Sequence, residues 1–385
     1  MYIESIALKG YRNYTSVSLF PKKGITVLYG QNGAGKTNIL EAIHLCCLGK
    51  SHRTSFDREL IQYEQAYGTV HIKARLKDGL HDVKILLQKK EKKSKEIFIY
   101  GKKVQKIGEL MGHIHCVIFS PEDLQMIKEG PSLRRKFIDM QLSQMRPTYF
   151  YALQKYTAIL NQRNSLLREG NKKKQRVQDE LLDIWDEQLA LHGKMIIDHR
   201  RWFVEKLKEK TKETYFFISG NQDEELNIQL KTPFQSEEKI YEQMKEGLRK
   251  GREEDRKYGQ TGFGPHRDDL AFTLSGKEVK TYGSQGQIRT VALCIKLAQL
   301  EMMKEDRSGD APILLLDDVM SELDPFRRKR LLEKIEGIQT FITCTDKSDL
   351  HLAKVESFIQ VQKDEKGIAL IKEEEEIAFD QETKE

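Results

Sequence analysis

Two short stretches carry the groups that phosphate chemistry needs. Residues 30–37 read Gly-Gln-Asn-Gly-Ala-Gly-Lys-Thr, between an apolar run at 25–29 and a helical pattern from 38 onward. Gly-x4-Gly-Lys-Thr in a strand–loop–helix setting is a phosphate-binding loop. Gly30, Gly33 and Gly35 admit backbone conformations and close approaches that a Cβ would obstruct. The loop N–H groups, with Gln31, Asn32 and Ala34 between the glycines, then form with the helix N-terminus a nest for anionic oxygens. Lys36 is expected to reach the β- and γ-phosphates of ATP, and Thr37 to offer its hydroxyl to Mg²⁺. The second stretch, Pro-Ile-Leu-Leu-Leu-Asp-Asp at 312–318, is an apolar strand ending in two carboxylates. Asp317 is expected to hold the metal in its oxygen shell, and Asp318 to orient or deprotonate an attacking water.

These groups need an α/β body around them. Strands are expected at 2–9, 14–20 and 24–29, and a helix from about 35 to 48 has Ile39, Ala42, Ile43 and Cys46 as its core stripe. Alternating segments at 68–77, 80–88 and 96–100 read as antiparallel strands, and 114–119 as a buried one. From about 131 to 257 the pattern turns helical, with helices at 131–145, 148–168, 178–211 and 237–257. Residues 170–176 then form the tip of a helical hairpin, with short extended pieces at 214–218 and 226–230. The α/β character returns with a strand after 262–269, a helix at 284–306, strands at 312–317 and 338–344, a helix at 325–336, and closing strands at 357–362 and 367–372. The boundaries are thus an N-terminal body at 1–129, a helical insertion at 130–258, a second body segment at 259–372 and an acidic tail at 373–385.

Composition narrows the partners. The 385 residues carry 65 Lys and Arg against 59 Asp and Glu, a net charge of +6 that is too small to identify a polyanion by itself. Its distribution says more, because nine lysines fall between Lys84 and Lys106 against Glu91 and Glu96. Lys89, Lys90, Lys92 and Lys93, and Lys172, Lys173 and Lys174 at the hairpin tip, are candidate contacts for a polyanion, through its phosphates if it is a nucleic acid. Cys46, Cys47, Cys116, Cys294 and Cys344 lack metal-ligand spacing and read as buried apolar residues in a reducing compartment. No signal pattern and no long apolar run is present, so a cytoplasmic protein without a membrane partner is expected.

Further motifs make the chain recognisable. After the double carboxylate, Ser321-Glu-Leu-Asp324-Pro opens a helix, and Ser284-Gln285-Gly286-Gln287 opens an earlier one, with Ser284 as cap and Gln287 at the capping-box position. This pairing resembles the ABC-type ATPase heads. Gly10-Tyr-Arg-Asn-Tyr14, the phosphate loop, Ser51-His-Arg-Thr54, Phe119-Ser-Pro-Glu-Asp123, Gly130-Pro-Ser-Leu-Arg-Arg135, Gly264-Pro-His-Arg-Asp-Asp269 and residues 315–324 narrow the likeness to the RecF family. The resemblance implies an α/β P-loop NTPase with an ABC-type head split in sequence and an inserted helical arm. It implies a weak DNA-stimulated ATPase that dimerises on ATP at gapped or junction DNA. With RecO and RecR it would promote RecA loading and support the SOS response. Ser284, Gly286, Gln287 and Asp324 would belong to the nucleotide site, Ser284 facing the γ-phosphate held by a second subunit. Arg12 and Asn13 would border the base or ribose, and Arg53 the phosphates, while the family leaves the task of His266 and Arg267 open. Asp318 where transporter ATPases carry Glu, Gln285 in the signature, Thr345 at the switch-histidine position and Ser120 at the inter-lobe Gln all depart from that class. They point to slow hydrolysis. A transporter-energising subunit and an ABC-headed nuclease are the alternatives, and the nuclease needs a further acidic metal cluster.

Overall fold

Three apolar runs, 25–29, 313–317 and 340–344, become strands in which every residue is buried, as parallel strands covered on both faces require. The structure is a computed structural model and describes residues 1–89, 94–221, 223–234, 238–306, 309–347 and 354–373. The chain begins with β1 (Tyr2–Tyr11), β2 (Tyr14–Leu19), β3 (Ile25–Tyr29), α1 (Lys36–Leu48), β4 (Tyr67–Leu76), β5 (Gly79–Gln88), β6 (Lys95–Ile99), β7 (Lys102–Lys103) and β8 (Cys116–Phe119). A helical stretch follows: α2 (Leu124–Lys128), α3 (Pro131–Met145), α4 (Pro147–Lys173) and α5 (Asp179–Ser219), then β9 (Leu226–Lys231), α6 (Ile240–Lys250) and α7 (Arg252–Tyr258). Next come β10 (Asp269–Leu274), β11 (Lys277–Glu278), α8 (Val279–Tyr282) and α9 (Gln285–Asp306). The chain closes with β12 (Ile313–Asp317), α10 (Pro325–Lys334), β13 (Thr340–Cys344), β14 (Val355–Lys363) and β15 (Ala369–Glu373).

Internal contacts divide the chain into two compact units, 1–121 with 303–385, and 122–302. The first unit holds an antiparallel sheet ordered β2-β1-β4-β5-β6-β7 and a second sheet ordered β15-β14-β3-β13-β12-β8. In the second sheet β14, β3, β13, β12 and β8 run parallel and only β15 is antiparallel. All five cysteines are buried.

The second unit holds α3–α8, most of α9 and a sheet ordered β11-β10-β9. A boundary at 258/259 is therefore not where the contacts divide the chain, and ion pairs inside this unit supply the reason. Arg200 of α5 is 2 % exposed and donates to the Pro265 carbonyl at 2.6 Å, to Asp268 at 2.9 Å and to Asp139 at 2.8 Å. Arg134 of α3 grips Asp269 with two hydrogen bonds of 2.6 and 2.9 Å, and Arg135 donates to the Asp268 carbonyl at 2.8 Å. Arg163 of α4, fully buried, joins Asp186, Asp255 and Thr261 at 2.8, 2.7 and 2.9 Å. Residues 264–269 are thus the turn that arm helices clasp. His266 belongs to the same clasp: the Tyr156 hydroxyl donates to its Nδ1 at 2.7 Å and its Nε2 donates to the Thr261 carbonyl at 3.0 Å. Arg267 donates to that carbonyl at 3.0 Å.

Three expectations fail here. Helix α5 continues to Ser219, so 214–218 is not extended; Thr214, Tyr215 and Ile218 are buried at helical spacing, and packing overrides the β-propensity of the aromatic run. Gly170 does not end α4, which runs to Lys173 and closes with Lys174 in a left-handed conformation (φ 53°). A Cβ on Gly170 would stand 2.7 Å from the Val177 side chain, so this glycine admits the returning chain. The helix expected over 237–257 is broken at Gly251 into α6 and α7.

Breaking a buried ion pair leaves the remaining charge unpaired. Asp268→Asn should therefore destabilise the second unit by about 3–5 kcal/mol, read by denaturant titration of tryptophan fluorescence, since both tryptophans, Trp185 and Trp202, lie on α5. Burial, assisted by the charges of Arg267, Arg135 and Arg200 and opposed by the Thr261 bond, pushes the His266 pKa down to about 4. The neutral ring's contribution is full above the unfolded value near 6.5 and is lost as pH falls toward 4. That contribution is up to about 3 kcal/mol. His266→Asn should flatten the stability loss between pH 7 and 5, as measured by the same titration.

Candidate nucleotide-binding site

The parallel sheet places the site's two halves on either side of one strand. The phosphate loop follows β3, the carboxylates end β12, and β13 lies between them, with Thr343 in register with both Leu28 and Asp317. The Thr343 hydroxyl donates to Asp317 Oδ1 at 2.7 Å and accepts from the Asp318 amide at 2.9 Å. From the other side the Thr37 hydroxyl donates to the same Asp317 oxygen at 2.8 Å. Thr37 and Asp317 are thereby brought together as expected. Thr343 escaped sequence reading; its signal is a hydroxyl residue at the end of a strand, Thr-Phe-Ile-Thr-Cys, that otherwise reads as buried core.

The loop's own shape depends on close packing. Gly30 has φ 142°, and a Cβ there would meet the Val361 carbonyl oxygen of β14 at 2.1 Å. Gly35, at φ 124°, lies against Asn13, whose amide donates to the Ala34 carbonyl at 2.8 Å and accepts from Asn38 at 2.7 Å. The Tyr14 hydroxyl adds a bond to the Gly35 carbonyl at 3.1 Å. Lys36 bridges the Gly30 and Gln31 carbonyls at 2.6 and 3.0 Å, and burial pulls its pKa down against the opposing charges of Asp318 and Asp317. Asp318 is exposed and left-handed (φ 54°), held by Ser321, whose hydroxyl donates to its carbonyl at 3.0 Å.

Arg12 and Arg53 converge on a residue the motifs did not indicate. Glu41, on α1 and 0 % exposed, receives Arg12 Nε at 2.8 Å and Nη2 at 2.7 Å, and the Ser51 hydroxyl at 2.5 Å. Arg53 lies 3.8 Å from the same carboxylate and donates to Asn38 at 3.0 Å. Burial alone would raise the Glu41 pKa, but the bonds from Arg12 and Ser51 and the charges of Arg12 and Arg53 outweigh it and hold the carboxyl below its usual range. Arg12, Asn13 and Arg53 thus support the loop and its helix.

Asp324 caps α10, accepting the Arg327 amide at 2.9 Å. In the second unit, Ser284 and Gln287 form the expected reciprocal cap: the Ser284 amide donates to Gln287 Oε1 at 2.8 Å, and the Gln287 amide to the Ser284 hydroxyl at 3.2 Å. Ser284, Gln285 and Gly286 are exposed, so this helix presents its N-terminus to solvent. Of the DNA candidates, Lys89 ends the β5 turn and Lys172, Lys173 and Lys174 are exposed at the end of α4, while Lys90, Lys92 and Lys93 lie outside the described residues. The acidic tail beyond Glu373 lies outside them too. Among the described residues no group of three or more His, Cys, Asp or Glu is placed to hold a metal ion. One carboxylate and one hydroxyl suit Mg²⁺, which completes its oxygen shell with phosphates and water.

Comparison with known proteins places these observations. The family described as the RecF/RecN/SMC N terminal domain matches residues 2–369. The chain is 41 % identical over 352 residues to the DNA replication and repair protein RecF of Clostridium novyi, covering 91 % of this chain and 94 % of that one. It is 42 % identical over 355 residues to the protein of the same name from Acetivibrio thermocellus, covering 90 % and 94 %. A solved structure of the recombination mediator protein RecF with ATP, in the RecFOR pathway, is 38 % identical, covers 97 % of this chain and 98 % of that one, and superposes with a TM-score of 0.87. The Smc head of Pyrococcus furiosus, at 17 % identity and a TM-score of 0.58, covering 97 % of this chain and 96 % of that one, shares the fold.

An outer partner that orients a metal ligand is worth roughly 10- to 100-fold in metal affinity. Thr343→Val should therefore raise the Mg²⁺ concentration needed for half-maximal binding of a fluorescent ATP analogue by about 10-fold or more. Thr343→Ser, which keeps the hydroxyl, should restore it.

Proposed function

We infer that this chain, which belongs to the RecF/RecN/SMC N-terminal family as a RecF-type member, is an ATP-driven DNA-binding switch of replication and repair. The observation that carries the reading is the shared Asp317 oxygen, which joins a phosphate loop to a metal-ligand carboxylate at the ends of parallel strands. Lys36 would leave the loop carbonyls for the β- and γ-phosphates, and the loop amides would cradle them. Thr37 and Asp317 would hold Mg²⁺, which supplies charge neutralisation to the phosphate oxygens when bound.

A site so built would take a further donor on the far side of the γ-phosphate. Ser284 of a second copy, at an exposed helix N-terminus, would supply it, with Gly286, Gln287 and Asp324 along the same interface. ATP then holds two copies together, and hydrolysis releases them by removing contacts made in only one state. Asp318 would position the attacking water. It is one methylene shorter than glutamate and stands on left-handed backbone, which favours slow turnover suited to timing. Closed pairs would bind gapped or junction DNA mainly through phosphates, with affinity that falls as salt rises. The RecFOR pathway named for a solved relative supports action with RecR and RecO, and the family resemblance adds RecA loading, the SOS response and a cytoplasmic setting to the proposal.

Sedimentation velocity tests the shared site directly. The wild type should shift from monomer to dimer with ATP-Mg²⁺ and gapped DNA, and Lys36→Met and Ser284→Arg should each abolish the shift. A wild type that stays monomeric while hydrolysing ATP would overturn the two-copy switch.

A further inference from the structure

The segment from α1 to the first residue of β4 exposes three aromatic rings that neither core nor nucleotide site uses: Phe56 (58 % exposed), Tyr63 (93 %) and Tyr67 (47 %). Two of them stand beside cations. The Arg58 guanidinium lies 5.4 Å from the Phe56 ring centre, and the Lys89 ammonium 6.0 Å from that of Tyr63. Both rings lie on or next to residues bonded to the described ends of β5 and β6, Lys89 on one side and Ser94 and Lys95 on the other. On one side Lys89 donates to the Gln62 and Tyr63 carbonyls at 3.0 and 2.5 Å, and its amide to the Ala66 carbonyl at 3.0 Å. On the other, Asp57, next to Phe56, accepts from Ser94 and Lys95 at 2.7 and 2.9 Å.

The segment is held in place along its length. The Arg12 amide donates to the Leu60 carbonyl at 2.8 Å, the Arg12 guanidinium to the Glu59 carbonyl at 2.9 Å, and the Gln62 amide to the Gly10 carbonyl at 2.9 Å. Thr54 donates to Glu59 at 2.5 Å. A backbone fixed this way lowers the ordering cost when something stacks on the rings it carries. Between them the exposed or half-buried residues are Asp57, Arg58, Glu59 and Gln62, whereas Leu60 and Ile61 point into the core. A protein-docking patch would gather its anchor rings into one well-packed apolar centre, whereas polar and charged side chains separate these two rings.

We propose that Phe56 and Tyr63 form a stacking platform for unpaired bases of single-stranded DNA, with Arg58 and Lys89 placed for the adjoining phosphates. Every base offers a π-face once unpaired, whereas a duplex hides those faces inside its stack. The platform therefore deepens the DNA-binding reading above, on which it rests, by assigning the single-stranded part of a gap to this loop. Its sequence preference is weak, because stacking tolerates all bases.

Fluorescence anisotropy of the full chain with ATP and Mg²⁺ tests the assignment, using labelled oligo-dT and a blunt duplex of equal length over a range of salt. The double variant Phe56→Ala/Tyr63→Ala should lose about 10-fold or more in affinity for oligo-dT, stacking being lost at two rings. Duplex affinity and the salt slope should hold, and Tyr63→Phe should retain oligo-dT binding. Lys89→Ala should instead reduce the salt slope by about 0.7, one phosphate contact on a single strand. Unchanged oligo-dT binding in the double variant, beside a wild type that binds it, would overturn the platform and leave the DNA reading standing. Equal losses on oligo-dT and duplex would overturn it as well, and so would an unchanged DNA affinity with loss of binding to a purified protein partner. A wild type that binds neither DNA would overturn both readings.

Discussion

One carboxylate oxygen, Asp317 Oδ1, sets the geometry of the nucleotide-binding unit. Strands in a sheet lie about 4.8 Å apart, so the strand before the phosphate loop and the strand bearing Asp317 are about 10 Å apart across β13. Neither half of the site reaches the other through its own backbone. Thr37, one residue inside α1, reaches back to the oxygen at 2.8 Å, and Thr343 fills the interval at 2.7 Å. The same Thr343 hydroxyl accepts the Asp318 amide, so the residue proposed to position water is fixed by the residue that orients the metal ligand. A substitution on β13, a strand with no motif of its own, therefore acts on both halves together.

The second unit uses charge differently. Arg134, Arg163 and Arg200 are buried on helices that would otherwise pack by apolar contact, and Arg163 and Arg200 are among the largest fully buried side chains. Desolvating such groups costs several kcal/mol each, and well-packed apolar residues of equal volume are often as stable. What the ion pairs add is a discrete arrangement. Residues 264–269 have one position in which Asp268 meets Arg200, Asp269 meets Arg134 and His266 lies between Tyr156 and Thr261. That turn leads directly into β10 and then to Ser284, so the clasp fixes where the strand before the signature helix begins.

The sequence was legible where local chemistry decides the outcome. The capping box at Ser284 and the cap at Asp324 have the geometry their residue types dictate, because each is built from groups within a few residues of one another. Legibility fell where distant residues decide. Glu41 and Thr343 carry no motif, and their importance appears only when a helix is laid beside a loop or a strand between two others. The 214–218 segment has the composition of a strand and is helical because Thr214, Tyr215 and Ile218 fall on a buried face. The 264–269 run could be recognised but not explained, since its partners on α3, α4 and α5 lie more than a hundred residues away in some cases, as Tyr156 does at a separation of 110.

The Glu41 network would also constrain how the nucleotide site and the proposed single-strand platform communicate. Glu41 sits on the helix that begins at the phosphate loop, and it binds Ser51 and Arg12 directly. Arg12 in turn holds the carbonyls of Glu59 and Leu60, at the centre of the segment that carries Phe56 and Tyr63. A phosphate that repositions α1 by even a fraction of an ångström works against this buried carboxylate, because a bidentate guanidinium pair tolerates little misalignment. The effect need not be large: coupling free energies between sites are typically about 1–3 kcal/mol, or about 5- to 150-fold in affinity. Linkage then fixes the reverse effect. Whatever factor ATP contributes to single-strand affinity through this path, single-stranded DNA must return to ATP affinity, so a gap would recruit nucleotide as strongly as nucleotide recruits the gap.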